Sequence, residues 1–127
     1  MQRIAIIGNT NRGRYGHHLD VAFVGVEGAQ IVGLADPDDE GRAAAVAKTS
    51  APESFADYRE MLDKLKPDIT VVATREIGDH HDLVTTVADY DTHVYLEKPI
   101  SATPAEADRM ADAVEAIPRL RQRVVRD

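Results

Sequence analysis

The amino-acid sequence predicts an α/β protein: a doubly wound parallel sheet between two helical layers, a three-layer α/β/α body. Three observations carry this. Residues 4–7, 30–35, 68–74 and 92–96 are short, nearly continuous apolar runs rich in β-branched residues, the pattern of strands buried on both faces. Segments with apolar residues at helical spacing lie between them. Strands alternating with helices along the whole chain imply parallel pairing with helices on both faces.

Each element has its own signal. Ile4, Ala5, Ile6 and Ile7 form the first strand, and Gly8 ends it. The loop Gly8, Asn9, Thr10, Asn11, Arg12, Gly13 follows. Residues 15–26 then read as a helix, with Tyr15, Leu19, Ala22, Phe23 and Val26 on one side. Residues 30–35 form the second strand, ending at Asp36. Residues 38–48 read as a helix with an alanine-rich face, Ala43, Ala44, Ala45, Val46 and Ala47. A very short strand is expected near Ser54 and Phe55. Asp57 and Glu60 resemble a capping box for a helix whose stripe is Tyr58, Met61, Leu62 and Leu65, stopped by Pro67. The run 68–74 is the next strand, and residues 75–79 form a loop with Gly78 as its flexible point. Residues 80–90 are a helix with Leu83, Val84, Val87 and Ala88 on one face, before the strand 92–96. Thr103, Pro104 and Glu106 mark a strong helix start, ahead of the stripe Ala107, Met110, Ala111 and Val114.

Composition excludes several classes. The 127 residues suffice for one domain with a real core, not for a two-domain enzyme. The net charge of −7 disfavours a nucleic-acid partner. With no cysteine there is no disulfide framework or thiolate metal site, and a reducing cytoplasm is the expected setting. Neither a leader nor a membrane span is expected. The charge is uneven: residues 118–127 carry four arginines (119, 121, 123 and 126) against Asp127 alone, whereas residues 1–117 are strongly acidic. The domain is therefore drawn at 1–117, with 118–127 a basic tail: disordered, truncated, the start of a further strand, or a basic helix for a partner.

A strand, a glycine loop and a helix in succession make the first turn of a Rossmann-like dinucleotide-binding unit, where backbone N–H groups and a helix end face a diphosphate. The fingerprint is incomplete, because Thr10 stands where its middle glycine would be. Asp36 lies 23 residues beyond Gly13, near the spacing of about 20 expected for the acid that binds the adenosine ribose. An aspartate there favours NAD over NADP, since it repels a 2′-phosphate; it also suits a helix cap before Pro37. Ligands of such sheets gather at the carboxyl ends of the strands, which places residues 8–13, Asp36, the segment 74–79 and Glu97-Lys98-Pro99 together.

The stretch YLEKPIS at residues 95–101, after a strand that follows VVAT and a histidine-bearing helix, resembles the Glu-Lys-Pro signature of the glucose-fructose oxidoreductase/inositol dehydrogenase (Gfo/Idh/MocA) family. ADPD at residues 35–38 and the amino-terminal glycine loop fall where that family has them, and the resemblance covers about residues 3–116. It implies nicotinamide-dependent hydride transfer at a hydroxyl-bearing carbon of a sugar or polyol. Gly8 to Gly13 would hold the diphosphate and Asp36 the ribose. Thr74 and Arg75 would lie along the dinucleotide, and Glu97 and Lys98 near the nicotinamide ribose. His80 or His81 would approach from the start of its helix. Lys98 would also reach the substrate hydroxyl as the catalytic residue, with Pro99, often cis in the family, aiming it. The alternative for Lys98 is a solvated lysine paired with Glu97. Two departures stand out: Thr74-Arg75-Glu76 replaces the family's Thr-Pro-Asn, and Asp91-Thr92 replaces a glycine-containing turn before His93-Val94.

The histidines 17, 18, 80, 81 and 93 do not predict a metal site, because adjacent helical residues point about 100° apart. Members of the family carry a large substrate domain for which this chain has no counterpart. The expected function is thus a nicotinamide-binding domain, catalytically incomplete alone, taking a sugar or polyol only if a second domain is supplied. The alternatives are a non-catalytic nucleotide-binding or interaction module whose bared face is covered by another copy or a partner, or a fragment.

Overall fold

The computed structural model describes residues 1–16, 18–98 and 101–117. Pro99 and the basic segment 118–127 lie outside them, so the readings of the Lys98–Pro99 bond and of the tail are not addressed. The elements are β1 (Gln2–Ile7), β2 (Ala29–Ala35), α1 (Asp39–Thr49), β3 (Ser54–Phe55), α2 (Tyr58–Leu65), β4 (Ile69–Val72), α3 (His80–Ala88), β5 (His93–Leu96) and α4 (Pro104–Glu115). All strands pair in parallel, in the order β3-β2-β1-β4-β5. The chain moves outward from β1 to β3, then crosses back to β4 on the other side of β1. The order therefore reverses between β1 and β4, which is where ligands bind in such sheets.

Alternation along β1 explains the two cores. Ala5 and Ile7 face a cluster with Met61, Leu62 and Leu65 of α2, Val84 and Val87 of α3, and Met110 of α4. Ile4 and Ile6 face a second cluster with Leu34, Val71, Ala45 of α1 and the partly buried Tyr15, Leu19 and Phe23. Burying each such aliphatic side chain contributes about 1.5–3 kcal/mol. Local signals agree at Asp57 and Thr103, which cap α2 and α4 through the backbone N–H groups of Arg59 and Glu106, while α1 is capped by Asp38, accepting from the Gly41 N–H, rather than by Asp36 as expected. Asp91 has φ 52° in the turn before β5, the left-handed conformation a glycine adopts without strain, and buried Thr92 shares a 3.0 Å hydrogen bond with Thr70. That departure from the family is a turn substitution.

Two expectations fail. The described residues of 15–26 do not form an α-helix. Residues 18–26 run as successive i→i+3 turns, with one 3₁₀ turn at Leu19–Val21. Tyr15 is held extended in an antiparallel bridge to Thr74. Arg14 and His18 have φ 63° and 58°, and Gly25 has φ 75°. A bridged first residue, left-handed interruptions and β-branched Val21, Val24 and Val26 override the periodicity. The apolar side still packs as foreseen, through Tyr15, Leu19 and Phe23. In α1 the alanine face is mostly outward: Ala43, Ala44 and Ala47 are exposed and Ala45 is buried. Among the described residues no helix is long and apolar enough to cross a membrane.

Candidate functional site

The carboxyl ends of β1, β2 and β4 frame a cleft of about 400 Å³, lined among others by Gly8, Asn9, Arg12, Pro37, Thr74 and Asp79. Sequence reasoning placed five of these six on its polar segments, and the topology brings them together.

The loop is built by its own polar groups. Asn9 folds it: its side-chain oxygen accepts from the Asn11 N–H (3.1 Å), and its carbonyl accepts from the Arg12 and Arg14 N–H groups (3.1 and 3.0 Å). Arg12 reaches across the cleft to Asp79, donating from Nε and a terminal nitrogen at 3.1 and 3.0 Å. The bond and charge of Asp79 raise the Arg12 pKa, so the guanidinium stays charged. Gly13, at φ 81°, lies against Arg75 and Glu76, and Arg75 is exposed.

Asp36 is fully buried, although its expected role faces a ligand. Its carboxylate accepts from the Thr10 hydroxyl (2.6 Å), the Tyr15 hydroxyl (2.8 Å), the Thr10 N–H (3.2 Å) and the Asp38 N–H (2.9 Å). A buried carboxylate needs such a donor set. The Tyr15 ring fills the space that a side chain at Gly8 would take, and the Thr10 side chain fills that at Gly41. Burial first, then the Asp36 hydrogen bond and charge, raise the Tyr15 pKa far above its ordinary range.

His80 does not face the cleft as expected. It is fully buried and its Nε2 donates to the Thr74 carbonyl at 2.7 Å, so it holds the end of β4. Thr74 is buried too, and its hydroxyl is the buried side-chain polar atom left without a hydrogen-bond partner among the described residues. Glu97 is 3% exposed and packs where a side chain at Gly16 would sit, at 2.6 Å. Lys98 is exposed. Tyr15 and Asp79 were not singled out as site residues. Tyr15 reads as core from its spacing alone, and nothing local signals that Asp79 meets Arg12, 67 positions away.

A parallel sheet with its strand order reversed beside a glycine loop defines a dinucleotide-binding Rossmann domain. A family model described as an oxidoreductase family with an NAD-binding Rossmann fold matches residues 2–120, and the chain belongs to that family, Gfo/Idh/MocA. It is 31% identical over 110 residues to inositol 2-dehydrogenase 1 of Saccharopolyspora erythraea, covering 85% of this chain and 32% of that protein. It is 30% identical over 112 residues to the inositol 2-dehydrogenase/D-chiro-inositol 3-dehydrogenase of Lacticaseibacillus casei, covering 87% of this chain and 31% of that one. Among solved structures, the WlbA dehydrogenase of Bordetella pertussis in complex with NADH and UDP-GlcNAcA superposes with TM-score 0.74 at 27% identity, over 89% of this chain and 33% of that one. The myo-inositol 2-dehydrogenase of Lactobacillus plantarum shares the fold, with TM-score 0.76 at 23% identity over 92% and 34% of the two chains. The chain thus spans about a third of the length of these relatives.

The residues present fit a dinucleotide unequally. The orphaned Thr74 hydroxyl suits the diphosphate side of the cleft, whereas Arg12 is paired with Asp79 and the Gly8, Thr10, Asn11 and Arg12 N–H groups already donate within the protein. The adenosine-ribose position fits less well, because Asp36 is covered, and among the described residues no α-helix directly follows the loop to add its dipole.

Proposed function

We propose that this chain binds NAD across the carboxyl edge of its sheet, as the cofactor half of an oxidoreductase that transfers hydride to or from a sugar or polyol carbon. The substrate pocket would come from a second domain, and without it the chain turns over no substrate. The observation that carries the reading is the cleft at the strand-order reversal, lined by Gly8, Asn9 and Arg12 together with Thr74. In this reading Gly8, Asn9, Thr10, Asn11, Arg12 and Gly13 enclose the diphosphate, and Thr74 and Arg75 lie along the dinucleotide. His80 positions Thr74, and Glu97 and Lys98 border the nicotinamide ribose. When bound, the cofactor accepts or supplies the hydride. Lys98, at the end of the segment after β5, would take or return the proton of the reacting hydroxyl. NAD is favoured over NADP because the Asp36 charge opposes a 2′-phosphate even when its hydrogen-bond positions are filled.

Calorimetry or saturation-transfer NMR with NAD and NADP tests this. Weak NAD binding, weaker NADP binding and no NAD reduction across a polyol panel are expected. Rapid turnover by the chain alone would refute the incompleteness, and NADP bound as well as NAD would refute the preference. Lys98→Ala should change NAD affinity less than about twofold, because an exposed lysine contributes little.

A second reading, a nucleotide-binding module that self-associates, is favoured by one observation. Val24, Val26 and Tyr95 are 45, 44 and 46% exposed, and Tyr95 meets Phe23 edge-on at 5.5 Å. Light scattering decides it: a dimer supports this reading and a strict monomer opposes it.

A further inference from the structure

We infer that Thr10 and Tyr15 occupy the acceptor positions of Asp36 that the adenosine ribose diol of a bound dinucleotide would use. The site as folded then draws no affinity from that diol. The inference rests on the dinucleotide reading above and adds which residues set its ribose specificity.

The geometry is specific. A ribose diol offers two hydroxyl donors, and a carboxylate free at the end of β2 would take both. Here two hydroxyl donors already sit on one oxygen, Oδ2, at 2.6 Å from Thr10 and 2.8 Å from Tyr15. The other oxygen, Oδ1, accepts from the Asp38 N–H at 2.9 Å and shares the Thr10 N–H at 3.2 Å. The carboxylate has no exposed surface. Each hydroxyl is held by more than this bond. The Thr10 side chain is wedged against α1 in the space left by Gly41, and the Tyr15 ring against β1 in the space left by Gly8. Tyr15 is further tied by its backbone bridge to Thr74. An incoming ribose must therefore break hydrogen bonds to a charged group and shift packed side chains before it gains its own, so the exchange is close to neutral. Glycine at position 10 would bring neither hydroxyl nor methyl and would open Oδ2 on the loop side. The replacement of the middle glycine by threonine is thus the sequence change that closes the subsite.

The probes are ADP and 2′-deoxy-ADP, which differ by one ribose hydroxyl, titrated into the 127-residue chain by calorimetry or NMR. The wild type is expected to bind both within about twofold. Thr10→Gly and Thr10→Ala should bind ADP more tightly than 2′-deoxy-ADP by about tenfold, the value of one hydrogen bond to a charged group. Thr10→Ser keeps the hydroxyl and should behave as the wild type. Tyr15→Phe, which opens Oδ2 from the other side with its ring retained, provides the same test if loop variants do not fold. A wild type that already prefers ADP about tenfold, or opened variants that gain no preference while still binding ADP, would overturn the inference and leave the dinucleotide reading intact. No binding of either nucleotide by any folded variant would overturn both.

Discussion

Arg12 and Asp79 close a two-point ion pair across the mouth of the cleft, at 3.1 and 3.0 Å. Arg12 comes from the loop after β1 and Asp79 from the turn before α3. The pair joins the two sides of the strand-order reversal. In the proposed dinucleotide reading it also engages the one arginine of residues 8–13.

Replacing Asp79 should free that cation. Asp79→Asn is expected to tighten NAD binding roughly threefold at low salt, with the gain shrinking as salt screens it. Calorimetry at two ionic strengths checks this, and weaker binding would show that Asp79 itself serves the ligand.

Tyr15 links the site to pH. Its folded pKa lies above the ordinary value of 10.0, chiefly through burial and then through Asp36. The phenol favours its protonated form when folded. Its contribution is therefore fully present below pH 10 and is lost as pH rises from there toward the folded value, because only the unfolded chain releases the proton. Urea unfolding should show wild-type stability falling more steeply above pH 10 than that of Tyr15→Phe. Parallel slopes would contradict the buried geometry.

Gly8 and Tyr15 should be energetically coupled, since the ring occupies the space of a Cβ at position 8. Gly8→Ala is expected to destabilise the fold by about 1–3 kcal/mol through overpacking. Adding Tyr15→Ala should relieve part of that strain, so the double variant is more stable than the sum of the single effects predicts. Denaturant midpoints across the four proteins measure the coupling, and strict additivity would count against the contact.

Thr74 keeps a buried hydroxyl without a partner, a state that costs about 1–3 kcal/mol. Thr74→Val should raise stability by about 1 kcal/mol and weaken NAD binding. If stability instead falls, the hydroxyl is satisfied in solution.

The strands were legible in the chain because both faces of each are buried, which forces apolar runs such as Val71-Val72-Ala73 whatever lies around them. Capping chemistry at Asp57 and Thr103 is equally local and marked α2 and α4, whereas α1 is capped by Asp38 and not by Asp36. The neighbourhood of the site followed from topology, which sends the ends of β1, β2 and β4 to one edge. Contacts between distant positions decided the rest. The periodicity from Tyr15 onward suits a helix, yet the bridge to Thr74 and the bond to Asp36 hold Tyr15 extended. Asp36 reads as a ligand for ribose, but its state depends on two hydroxyls that arrive from 26 and 21 residues away. His80 reads as a cleft residue, but its ring turns inward to the Thr74 carbonyl. Apolar patterning is a property of single segments. The availability of a polar atom depends on every donor that folding brings within 3 Å of it, and no one segment encodes that.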